Sequence, residues 1–245
     1  MNRTSITGLA CLLAVALTAC AGGGEPPAPS GSPASAPLEA LKEPANSMSV
    51  SPPLSPAPVS AEALAAYRAL LAGEPGALDR PPEGLELHKV TLPPAEELEY
   101  VLLDLDGDGG AELVVQMVAQ PHQFNAVFHY GDGELSCWQY DIMEMSCRDY
   151  PLGDGAMVRQ YDTGTGPNRY SNLYTVFRYL PDGETEECAS LAVHQDTQED
   201  GTEVFTYLVD DAEVDQDTFA AEFEELVGSR LLSLEDWTPA TERPG

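Results

Sequence analysis

Residues 100–115 read Tyr-Val-Leu-Leu-Asp-Leu-Asp-Gly-Asp-Gly-Gly-Ala-Glu-Leu-Val-Val: an apolar run, a loop with a carboxylate at every second position, and a second apolar run. No other stretch restricts the fold as tightly, because aspartates packed this closely repel one another unless a cation lies between them. Calcium is a hard cation that takes about six to eight oxygens at roughly 2.3 to 2.6 Å, and a backbone curled around it brings together the side chains at loop positions 1, 3 and 5. Here those positions are Asp104, Asp106 and Asp108. Position 6 must turn sharply, and Gly109 reaches the positive φ that a side chain disfavours. Gly110 then offers its backbone carbonyl, and Glu112 closes the set directly or through a water. The same Asp-Gly alternation is also ordinary turn chemistry, so an acidic turn without an ion is the competing reading.

An EF-hand needs a bidentate Glu at position 12 and a helix on each side. Position 12 is Val115, in a β-branched run that reads as strand. The pattern D-x-D-G-D-G-x-x-E between strands instead resembles the calcium loop of FG-GAP (integrin α-type) repeats. It is most similar to the single-copy version, DLDGDGxxEL, of surface lipoproteins of Gram-positive gut bacteria. The resemblance is specific over residues 98–118 and weaker, at the level of strand and turn rhythm, over 60–230. It implies a calcium ion on Asp104, Asp106, Asp108, Gly110 and Glu112, although integrin-type repeats usually carry Asp where Glu112 stands. Only one copy of the motif is present, so a propeller of repeated blades is not expected.

The charge balance agrees with a cation site. Asp and Glu number 41 against 11 Lys and Arg, a formal net charge of −30. A surface this acidic repels nucleic acid and anionic membranes through its long-range field, so nucleic acid is not an expected partner.

The first sixty residues add little to a core. Arg3 gives a short basic start, and residues 6–19 form an apolar stretch too short to span a bilayer. That stretch ends in Leu17-Thr18-Ala19-Cys20, which is similar to a bacterial lipobox. Residues 1–19 are therefore expected to be a lipoprotein signal peptide and Cys20 the lipidated residue, anchoring the chain to the membrane at the cell surface. Plain secretion with cleavage after Ala19 is the alternative. Residues 20–59 are rich in Pro, Ala and Ser and are expected to form a disordered tether.

A single α+β domain is expected over 60–238, an antiparallel β meander flanked by an N-terminal and a C-terminal helix. Ser60 caps the first helix, Leu64, Tyr67, Leu70 and Leu71 repeat with helical spacing, and Gly73 with Pro75 ends it. Leu85, Leu87 and Val90 suggest a short strand. Further strands are expected over 112–118, 124–130, 134–140, 156–161, 172–180, 185–194 and 204–209, with Gly-containing turns between several of them. The last helix spans 216–227, with Asp215 as cap and Phe219, Phe223, Leu226 and Val227 as its buried stripe.

Cys137 and Cys147 are the local pair for a disulfide outside the cytoplasm, while burial as small core residues, with Cys188, is equally consistent. Asp162-Thr163-Gly164 matches the aspartic-protease tripeptide but has no second copy. The histidines at 88, 122, 129 and 194 are scattered without zinc-ligand spacing. Tyr161, Tyr170, Tyr174, Phe177 and Tyr179 suit either strand packing or a sugar-stacking surface. Two functions follow: a lipid-anchored extracytoplasmic calcium-binding module for a glycan or protein ligand, or an extracellular hydrolase of glycans or cell-wall polymers with a structural calcium site. No assembled nucleophile or acid/base motif favours the enzyme.

Overall fold

The computed structural model describes residues 57–140, 147–166, 168–242 and 244. The expected leader, Cys20 and the tether up to residue 56 lie outside the described residues.

Helix α1 (Ala61–Leu71) starts where Ser60 Oγ accepts the N–H of Ala63, 3.0 Å. Its Ala63, Tyr67, Leu70 and Leu71 share one buried face. It stops at Gly73, whose φ of +66° lies in the left-handed region open to glycine. Strands β1 (Leu98–Leu103), β2 (Glu112–Met117), β3 (Gln120–Gly131) and β4 (Glu134–Tyr140) form one antiparallel sheet in sequence order. A second antiparallel sheet, also in sequence order, holds β5 (Cys147–Pro151), β6 (Met157–Gly166), β7 (Arg169–Tyr179), β8 (Thr185–Thr197), β9 (Glu203–Val209) and β10 (Ala212–Val214). Helix α2 (Gln216–Leu226) follows, with Asp215 accepting the N–H of Thr218, 2.7 Å. The chain then returns as β11 (Thr238–Pro239), which pairs with the free side of β1.

Side-chain alternation along the strands divides the core in three. Leu98 and Tyr100 of β1, Leu113 and Val115 of β2, and Ala126 and Phe128 of β3 pack with α1. Val101, Leu103, Val114 and Val127, from the opposite face, meet Met157, Phe177 and Tyr179 of the second sheet, with Trp237. The far face of that sheet offers Val158, Tyr174, Val176, Leu191 and Val193 to Phe219 and Val227 at α2. The layers therefore run helix, sheet, sheet, helix.

The chain is richer in β structure than one meander between helices. The expected strand series divides into two sheets because both faces of the first are apolar, and each face needs a cover. The short strand expected near Leu87 is instead a 3-10 turn, Leu87–Lys89. Strands β5, β10 and β11 were not anticipated.

Strand β4 carries a bulge. Phe128 pairs with Cys137 while Val127 pairs with Gln139, so Trp138 is the extra residue. Cys137 consequently points into the α1 side of the core, and Trp138 packs against the inter-sheet cluster. Cys137 is a free thiol, 3 % exposed, 3.1 Å from the carbonyl of Gln139. The Cys137–Cys147 disulfide is not formed: Cys137 lies in the α1-facing core of the first sheet, and Cys147 begins the second. Cys137 is a small core residue, and burial pushes its thiol pKa up to about 12.

Candidate metal centre

The loop 104–111 joins β1 to β2, which pair from Leu103 and Glu112 onward. Its Asp-Leu-Asp start sorts itself by hydrophobicity. Leu105 is fully buried between the sheets, an anchor worth about 2 kcal/mol, which leaves Asp104 and Asp106 on the other side of the backbone. Gly107 (φ +78°) and Gly109 (φ +89°) then reverse the chain.

The carboxylates organise the loop through its own N–H groups. Asp104 Oδ1 accepts Gly107 N, 2.8 Å, and its Oδ2 accepts Gly109 N, 3.1 Å. Asp106 Oδ1 accepts Asp108 N, 3.0 Å, and Asp108 Oδ1 accepts Gly110 N, 2.6 Å. These bonds turn the side chains inward, and one oxygen from each of Asp104, Asp106 and Asp108 lies within 4.8 Å of the others. Asp106 Oδ2 is shut off from solvent and has no hydrogen-bond donor among the described residues. A buried anionic oxygen without a partner costs free energy that a cation would recover.

The loop is held from both layers. On the α1 side the Tyr67 hydroxyl donates to the Ala111 carbonyl, 2.8 Å. Burial, followed by the nearby charge of Glu112, raises the Tyr67 pKa, so the phenol keeps its proton for that bond. On the other side the turn before β6 presses against the loop backbone: a Cβ on Gly155 (φ +83°) would fall on the carbonyl oxygen of Asp104.

Glu112 occupies a different position from the aspartates. It is 1 % exposed, its Oε2 accepts Leu105 N, 2.7 Å, and its Oε1 lies 3.0 Å from His129 Nδ1. Burial raises the Glu112 pKa, against the opposing effect of the His129 hydrogen bond. The Glu112 hydrogen bond raises that of His129, against burial. Asp106 is also raised, by burial first. Asp106, Glu112 and His129 form a second group whose candidate ligand atoms lie within 4.8 Å.

Of the residues singled out from sequence, Asp104, Asp106 and Asp108 come together as one acidic group. Glu112 meets Asp106 on the inner side, and Gly110 closes the turn through its N–H. His129 was missed. The legible signal was hairpin register: Leu113 pairs with Phe128, which sets Glu112 across from His129.

The remaining motifs fall elsewhere. Asp162-Thr163-Gly164 lies within β6, with Asp162 3.1 Å from Arg148. Tyr174, Phe177 and Tyr179 are buried, so they pack the core rather than present a sugar platform. No helix among the described residues is long and apolar enough to cross a membrane. The clusters described here have the donors to hold a metal ion. A scan against protein-family models, a search of curated proteins and a search of solved structures each find no match to this chain.

Proposed function

We propose that the chain is a lipid-anchored, extracytoplasmic calcium-binding protein that acts as a surface binding or structural module. The observation that carries the reading is the orphaned Asp106 Oδ2 among three converging carboxylates, in a loop whose backbone is already folded. An all-oxygen donor set of this kind suits a hard cation, and calcium is the one that tolerates irregular loops. Asp104, Asp106 and Asp108 would hold it, joined by the Gly110 carbonyl and by Glu112 directly or through water. When bound, the ion supplies charge neutralisation and a fixed junction between β1 and β2.

The sequence at Leu17-Thr18-Ala19-Cys20 supports membrane attachment through a lipid on Cys20, with residues 20–59 as tether. The net charge of −30 argues against a nucleic-acid partner and leaves a glycan or protein ligand. Outside the cell calcium is abundant, and an ion that binds only the folded loop adds its binding free energy to stability.

Calcium at about a hundredfold over its dissociation constant should raise the melting temperature by roughly 5 to 10 °C. The double variant Asp104→Ala with Asp106→Ala should lose that shift. Identical melting curves in calcium and in chelator would end the reading.

The hydrolase reading retains one observation. A cleft of about 340 Å³ is lined by Glu83, Asp182, Glu184, Arg80 and Trp138, which places several carboxylates beside an aromatic ring. The close contact of Ser171 Oγ with His194 Nδ1, 2.7 Å, does not help it, since Ser171 is 2 % exposed. Turnover of glycans or peptidoglycan fragments by purified protein would favour the enzyme, and binding without turnover the module.

A further inference from the structure

The inner side of the loop carries donors of another chemical kind. Asp106 comes from the loop, Glu112 from the first residue of β2 and His129 from β3, and none of the three is exposed. We propose that Asp106, Glu112 and His129 form a second metal site, selective for a divalent first-row transition ion such as Mn²⁺ or Zn²⁺ and distinct from the calcium position. The proposal rests on the metal reading of this loop and deepens it.

Donor chemistry argues for the separation. Calcium takes oxygens, whereas an imidazole nitrogen beside two carboxylates suits first-row transition ions. Geometry agrees. Two ligands each about 2.1 Å from an ion stand about 3.0 Å apart at the right angles of an octahedral site and about 3.4 Å apart in a tetrahedral one, and Glu112 Oε1 and His129 Nδ1, joined by a hydrogen bond while the ion is absent, stand 3.0 Å apart. The third ligand is a carboxylate oxygen of Asp106, the residue that belongs to both groups. The Asp106 carboxylate would thus be shared between the calcium position and the inner ion.

The donors are also preorganised. The His129 ring stacks on Trp138 with centroids 4.4 Å apart and planes at 11°. Gly131 lies against its Nε2 edge, where any Cβ would strike the ring. These contacts fix the ring with Nδ1 toward the carboxylates, while Leu105 N holds the far oxygen of Glu112, 2.7 Å. An arriving ion displaces the proton shared by Glu112 and His129, which leaves to solvent, and waters complete the coordination.

The test is a titration of metal-free full chain with Mn²⁺, and separately Zn²⁺, in the presence of calcium. One equivalent should bind beyond calcium. His129→Ala should weaken it by about a hundredfold or more, at or above the upper end of second-shell effects, with the calcium titration unchanged. Asp104→Asn should do the reverse. A fold-independent measurement is the electron spin echo spectrum of Mn²⁺ on the unmutated protein, which should show coupling to an imidazole nitrogen. Calcium binding with no transition-ion binding overturns this proposal alone, and failure of both ions overturns the calcium reading as well. Equal Mn²⁺ affinity in His129→Ala, or no nitrogen coupling, would mean that the ion enters the aspartate loop instead, and would also overturn it.

Discussion

The turn after β1 and the turn before β6 touch each other at the seam between the sheets, and each depends on an aspartate. Asp154, in the second turn, takes Arg178 at 2.9 Å and Arg230 at 2.6 Å on a single oxygen. Burial works to raise its pKa, but the Arg230 hydrogen bond and charge outweigh it, and the group sits below the usual carboxylate value. Asp106, in the first turn, has no guanidinium bonded to it among the described residues, and burial raises it. The same residue type is stabilised as an anion where the chain supplies the cation. Where it does not, the charge must come from solution.

The largest effect should come from joining the two turns badly. Gly155→Ala places a Cβ on the Asp104 carbonyl at a φ of +83°, so both strain and overlap are incurred. Together they should cost about 2 to 4 kcal/mol and lower the melting temperature by roughly 5 to 12 °C. Because Asp104 shifts, the calcium response should shrink too. An unchanged calcium response in Gly155→Ala would show that the turns are energetically independent.

Next in size is the calcium shift itself, which should act on one turn only. Asp154→Asn should keep the full rise in melting temperature, while Asp104→Ala with Asp106→Ala should lose it. Calcium protection that depended on Asp154 would move the cation site to the other turn.

Smaller again is the pH dependence of Asp154. Its folded pKa is depressed, so its contribution is complete above the unfolded value of 3.8 and disappears as pH falls through the lower folded value. Its side chain is 44 % exposed, so solvent screening holds the effect of Asp154→Asn to about 1 kcal/mol or less. Melting curves of the two proteins should differ at pH 6 to 7, approach one another as pH falls past 3.8, and converge below the lower folded value. A gap that persists in acid would make the role of Asp154 steric rather than electrostatic.

Local signals were readable in the chain; contacts between layers were not. The Ser60 and Asp215 caps, the stop at Gly73, and the two strands around the acidic loop follow from neighbours in sequence, which is why those elements lie near their expected bounds. The division into two sheets depends on which face of β1 to β3 meets Met157 and Phe177, a pairing between separate hairpins that periodicity does not encode. The demand for glycine at 155 comes from its neighbour across the seam, the Asp104 carbonyl, which local sequence does not reveal. His129 was hidden for a related reason. Metal-ligand spacing is sought along the chain, whereas Glu112 and His129 meet across a hairpin whose register then shifts near Met117. The bulge at Trp138 and the return of β11 to β1 share that origin.

The smallest effect discriminates best between the two turns because its sign, not its size, carries the information. In calcium-free protein, Asp106→Asn removes a charge that lies beside the carboxylates of Asp104, Asp108 and Glu112 and has one oxygen without a donor. It should therefore stabilise, by a few tenths of a kcal/mol and about 1 °C, since a partly exposed site screens most of the repulsion. Asp154→Asn, measured beside it, should destabilise. Adding calcium should reverse the order for Asp106→Asn, because the unmutated loop then gains a partner that the amide binds poorly. Destabilisation by Asp106→Asn in chelator would mean that the loop already balances this charge internally. The contrast with Asp154 would then be one of geometry rather than of missing cation.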